Sequence, residues 1–205
     1  MKRWTLLFAA FLAVGSAQTQ AVAQAAEGDA RASFIFDGAR IEITQDAAAA
    51  AVHAARFAAT PPACDPGCIA PATAAQGVPT VIEPDVLAFL VERVGKNEGL
   101  LVDARMPPER ALGFIPGSVS LPFAAAAPDN EFRKDILKAL GAREFEGIFN
   151  FSDALDLVVY DVGPVRSDAM TLIGHLLEAG YPADKLNYYR GGMQVWSALG
   201  LTIKE

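Results

Sequence analysis

From Val78 to the end of the chain, short apolar runs alternate with segments of helical period, and this alternation is what most constrains the fold. Gly99-Leu-Leu-Val102 and Leu157-Val-Val-Tyr160 carry no polar residue at every second place. Strands of that kind are buried on both faces, as in a parallel sheet covered by helices. Further strands are predicted at Thr80-Val-Ile82, Ser118-Val-Ser-Leu121 and Leu186-Asn-Tyr-Tyr189. Helices are predicted over 84–94, with Val86, Leu87, Leu90 and Val94 on one face, and over 131–140. Two more follow over 167–179, with Met170, Ile173, Leu176 and Leu177 inward, and over 193–199. His175 falls off the apolar stripe and is expected to face solvent. The fold class is therefore α/β, with a central parallel sheet and a small N-terminal extension before it.

Residues 1–25 read as an address. Lys2 and Arg3 precede Trp4 to Val14, apolar except for Thr5, and small residues at Ala21-Val-Ala23 and Ala23-Gln-Ala25 offer cleavage points. This is the layout of a secretory signal peptide, and the run is shorter than the ~20 residues a membrane-spanning helix needs. Export to a periplasmic or extracellular compartment is expected, with no membrane span afterwards. The net charge of −7 already lacks the basic footprint of a nucleic-acid binder, and loss of Lys2 and Arg3 makes the mature chain more acidic.

Residues 26–77 form an Ala-rich extension. Phe34-Ile-Phe36 and Ile41-Glu-Ile43 flank Asp37-Gly38 as a short hairpin, and Asp46 to Ala59 reads as a helix capped by Asp46 and stopped before Pro61-Pro62. Then come Cys64 and Cys68, the only cysteines, spaced C-x3-C around Pro66-Gly67. A Pro-Gly turn could bring them within disulfide range, the default in an exported protein. A labile redox or sulfur-accepting dithiol and a soft-metal site, for example Cu(I) with His53, stay open.

In an open parallel sheet, ligands bind beyond the carboxyl ends of the strands. Two segments lie there: Asp103-Ala-Arg105, and Asp161-Val-Gly-Pro-Val-Arg-Ser167, which enters a helix directly. A tight loop feeding a helix N-terminus presents convergent N–H groups, an anion cradle. Arg166 could bind an anion or pair with Asp161 or Asp168.

Three segments carry a resemblance. Leu100-Leu-Val-Asp-Ala-Arg105 with Glu109 and Gly113-Phe-Ile-Pro-Gly-Ser-Val-Ser-Leu-Pro122, then Leu157 to Ser167, then Gly180-Tyr-Pro with Tyr188-Tyr-Arg-Gly-Gly-Met-Gln-Val-Trp-Ser-Ala-Leu-Gly-Leu201, resemble the signatures of rhodanese-like domains in family order. Together they cover 78–203. The resemblance implies that Asp103 and Arg105 shape the site through charged hydrogen bonds. It also implies a sulfurtransferase loop, in which active members carry sulfane sulfur on a cysteine taken from thiosulfate or a persulfide. Asp161 stands where that cysteine would be. A carboxylate is a poor nucleophile toward sulfur and stores no transferable sulfur atom. Pro164 also lacks an N–H, Phe114 stands where many relatives have His, and Ser118 replaces a common Ala.

Asp161 is thus expected to seat its carboxylate in the cradle, with its pKa lowered by loop N–H bonds, or else to be an exposed loop residue without a role. Three functions remain: a binding or accessory module without sulfurtransferase activity, for a small anion or a periplasmic protein; a sulfurtransferase or redox enzyme using Cys64 or Cys68; and a copper-handling protein. No cofactor or metal is assigned to the loop.

Overall fold

The computed structural model describes residues 32–58 and 73–205, so residues 1–25 and both cysteines, Cys64 and Cys68, lie outside the described residues. The extension supplies β1 (Ala32–Phe36), β2 (Ala39–Ile43) and α1 (Ala47–Ala58). β1 and β2 pair antiparallel around the predicted Asp37-Gly38 turn. The Asp46 carboxylate accepts the N–H groups of Ala48 and Ala49 at 2.8 and 3.3 Å, which satisfies orphan donors at the start of α1.

The body follows as β3 (Thr80–Val81), α2 (Glu83–Glu92), β4 (Gly99–Asp103), α3 (Pro107–Arg110), β5 (Ser118–Ser120) and α4 (Arg133–Ala139). It continues through β6 (Arg143–Phe145), β7 (Ile148–Asn150), β8 (Asp156–Tyr160), α5 (Asp168–Glu178), β9 (Leu186–Tyr189) and α6 (Gly192–Ala198). Strands β3-β9-β8-β4-β5 form one five-stranded sheet, and every neighbouring pair in it is parallel. The runs Leu100 to Val102 in β4 and Leu157 to Tyr160 in β8 have no polar residue because both faces of the sheet are covered. Val102, Leu157, Val159 and Tyr188 pack under α4 and α5, while Leu101, Val158, Tyr160 and Tyr189 pack under α2, α6 and the extension.

The extension is built into that second face. Phe34, Ile43 and Phe57 are buried in the same cluster as Trp196 and Leu201. The Asp46 N–H donates to the Gly200 carbonyl at 2.8 Å, and the Thr202 N–H donates to Thr44 at 3.0 Å.

Three expectations need correction. His175 is half-buried rather than solvent-facing, because a 3-10 turn at Phe123–Ala126 packs on α5 and brings the Phe123 carbonyl to 3.1 Å from Nδ1. The inward stripe of α5 is Ala169, Leu172, Ile173 and Leu176, while Met170 and Leu177 are only partly buried. The helix predicted over 84–94 ends at Glu92 and passes into a 3-10 turn at Val94–Lys96. The β6–β7 hairpin carries no sequence signal, since three-residue strands are too short to display a period.

Candidate functional site

Strand β8 ends at Tyr160, and the chain then turns through Asp161 to Ser167 into α5. The turn is tight: the Arg166 N–H donates to the Gly163 carbonyl at 3.0 Å, with Pro164 at the position where its fixed φ favours such a turn. Helix α6 braces the loop from below, as Met193 and Gln194 donate their N–H groups to the carbonyls of Asp161 and Val162 at 3.1 and 2.9 Å. That contact needs glycine at 192, whose φ is +54° and where a Cβ would lie 2.5 Å from the Asp161 carbonyl oxygen. Val162 and Gly163 are buried, Pro164, Val165 and Arg166 are half-buried, and Ser167 is exposed.

The Asp161 side chain is fully buried. Oδ1 accepts the Gly163 N–H at 2.9 Å, and Oδ2 accepts the Ala169 N–H in the first turn of α5 at 3.0 Å. The carboxyl group therefore occupies donors from both arms of the loop. The expectation of a lowered pKa is overturned: burial pushes Asp161 up to about 7, outweighing the two N–H bonds and the Arg166 charge, and Asp168 adds to the rise. Desolvation wins because the site is enclosed by β8, α5 and α6, an arrangement that no local stretch of sequence encodes.

This displacement has a sign. Asp161 takes up its proton more readily folded than unfolded, so its contribution favours the folded state fully below pH ~4 and fades as pH rises through 7. From the ordinary aspartate value of 3.8 to about 7, the swing is on the order of 4 kcal/mol. Urea denaturation at a series of pH values should show stability falling over that window, and Asp161→Asn should remove most of the fall. A variant that keeps the same slope would assign the titration to another group.

Arg166 pairs with Asp168, at 3.1 Å, and not with Asp161; its Nη1 also reaches Glu109 of α3 at 3.3 Å. Asp168 is itself mostly buried, and burial raises its pKa, with Glu109 adding to the rise and Arg166 opposing it.

Asp103 lies beside the Tyr160 side chain, and Arg105 reaches the Glu109 carbonyl with Nη1 at 3.2 Å. Arg105 donates from Nε and Nη2 to the two Asp103 oxygens at 2.8 and 2.6 Å, and from Nη2 to the Gly113 carbonyl at 2.9 Å. Burial alone would lower the Arg105 pKa, but the hydrogen bond and charge of Asp103 raise it. Arg110 and the Tyr160 hydroxyl also donate to Asp103 Oδ2, at 2.8 and 3.1 Å. Ser118 joins through its hydroxyl, 2.9 Å from Arg110 and 3.0 Å from Tyr160. The Phe114 ring lies under the Arg110 guanidinium at 3.8 Å.

Sequence reasoning missed Arg110, Tyr160 and Gln194 as parts of this region. Arg110 lies seven residues beyond Asp103 with no strand or helix period linking them, so no spacing rule points to it. Among the described residues no group of three or more His, Cys, Asp or Glu side chains is gathered to hold a metal ion.

The five-stranded parallel sheet, with a loop running from a central strand into a helix, places the domain in the α/β class. Residues 87–199, more than half of the chain, match the family of rhodanese-like domains. The chain belongs to that family. Similar solved structures include a protein of unknown function from Rhodopseudomonas palustris, described as a possible tyrosine phosphatase (22% identity, TM-score 0.45, covering 64% of this chain and 88% of that one). Others are a rhodanese-like domain from Anabaena sp. (20%, 0.41, 62% and 78%) and a human single-domain sulfurtransferase (20%, 0.40, 58% and 95%). No curated protein matches the chain.

Proposed function

We propose that this chain is an exported rhodanese-homology module that binds a small anion or a periplasmic protein and does not transfer sulfur. The observation that carries this reading is the Asp161 carboxyl seated on the N–H groups of Gly163 and Ala169. Sulfur transfer needs a thiolate that attacks a sulfane sulfur, expels sulfite from thiosulfate and holds the sulfur as a persulfide. Asp161 offers only oxygen, and its two oxygens are already taken up by loop donors. Export rests on the charged and apolar pattern of residues 1–25; no helix among the described residues is long and apolar enough to cross a membrane.

A thiosulfate–cyanide assay on the purified chain tests the reading. No thiocyanate above the protein-free rate is expected, and the Cys64→Ala, Cys68→Ala double variant should behave identically. Turnover by that double variant would overturn the proposal.

One observation favours a second reading, in which Cys64 or Cys68 supplies the missing thiol. Gln194 donates its backbone N–H to Val162 and its Nε2 to the Phe57 carbonyl at 3.3 Å, so the chain at residue 57 lies beside the loop. Seven residues of extended chain reach roughly 25 Å. Turnover in the native chain that disappears with either cysteine would establish this reading in place of the first.

A further inference from the structure

The β6–β7 hairpin has two faces of opposite chemistry. Exposure alternates along each strand, as side chains on a pleated ribbon must. Glu144 and its cross-strand partner Phe149 turn inward. Lys134 and Lys138 of α4 hold the Glu144 carboxylate at 3.0 and 2.7 Å, and Phe149 packs on the core beneath α4 and α5. The outward face carries Phe145 and Ile148, paired directly across the hairpin. At 76% and 75% exposure they are the two most exposed large apolar side chains among the described residues. A sheet face open to water ordinarily carries polar residues at such places. Here an apolar pair stands on a mount tied to α4 and to the core, the arrangement of an interface anchor.

The charges around that pair suit a second copy of the same hairpin. Arg143 lies at the stem and stays well exposed although it pairs with Asp153, and Glu146 lies exposed in the turn. The hairpin therefore runs from positive through apolar to negative. A two-fold axis over the Phe145–Ile148 pair sets two hairpins antiparallel, apolar pair on apolar pair, with Arg143 of each copy beside Glu146 of the other. We propose that the outward face of the β6–β7 hairpin is a self-association surface through which two copies of the chain form a symmetric dimer. A chain of net charge −7 repels its own copies in general, whereas this face offers opposite charges at opposite ends. The contact is small beside the ~800 Å² per partner of a standard stable interface, so the dimer is weak and depends on concentration.

Sedimentation equilibrium of the full chain, over a series reaching about 1 mM, reads the association directly. The weight-average mass should climb from the monomer value toward twice that value. The Phe145→Thr, Ile148→Thr double variant should stay at the monomer value, with an unchanged far-UV circular dichroism spectrum because both side chains stand in water. Arg143→Glu and Glu146→Arg each set like charges together, and each should weaken association by about tenfold. An equimolar mixture of these two variants should restore it, since every charge then meets its opposite on the other chain. Loss of the Arg143–Asp153 pair within one chain cannot be restored that way. A chain that stays monomeric throughout, a double variant that still dimerises, or a mixture no tighter than its components would overturn the proposal.

Discussion

Asp103→Ala should destabilise the domain by about 3–5 kcal/mol, because it strips the shared carboxylate from two guanidiniums that stay buried. Arg105 is 1% exposed and the Arg110 side chain 15%, so neither charge can be rehydrated without opening the sheet end. The Tyr160 hydroxyl loses an acceptor as well, keeping the Ser118 hydroxyl and the Ile115 N–H as partners. Arg110→Ala should cost less, since Asp103 would keep both bonds from Arg105. Guanidinium chloride titrations monitored by far-UV circular dichroism measure both changes. A loss below about 1 kcal/mol for Asp103→Ala would mean that the network behaves as a solvated surface pair.

Phe57→Ala should cost about 3–5 kcal/mol, the range for truncating a buried aromatic side chain. Its ring is 3% exposed, lies 5.9 Å from the Arg105 guanidinium carbon and closes over Gly113. The same variant tests the standing of the extension. With β1, β2 and α1 integral to the second core, unfolding should remain a single transition at a lower midpoint. An unchanged midpoint would mean that α1 contributes no stability to the sheet it covers.

Much of this architecture was legible locally. Leu157-Val-Val-Tyr160 has no polar alternation, and it is a central strand buried on both faces. Asp46 stands before an alanine run, and it caps α1. Asp161 was legible as the position that departs from the family pattern, because a side chain's chemistry is visible without its surroundings. Its protonation was not legible. Two N–H bonds argued for a lowered pKa, and only the enclosure built from β8, α5 and α6 shows that desolvation exceeds them. Arg166 had several candidate partners in sequence, and the choice of Asp168 and Glu109 follows from where α3 meets the loop.

The sequence by itself determined the alternation of strands and helices, the hairpin and helix of the extension, and the absence of a thiol at residue 161. Those features depend on residues close together in the chain, where periodicity, turn chemistry and side-chain identity act directly. Tertiary structure alone decided that Arg110 and Tyr160 share Asp103, that the extension seals the face opposite α5, and that Asp161 keeps its proton toward neutral pH. Each of those depends on how completely distant segments exclude water from one point, and exclusion of water is a property of the assembled volume.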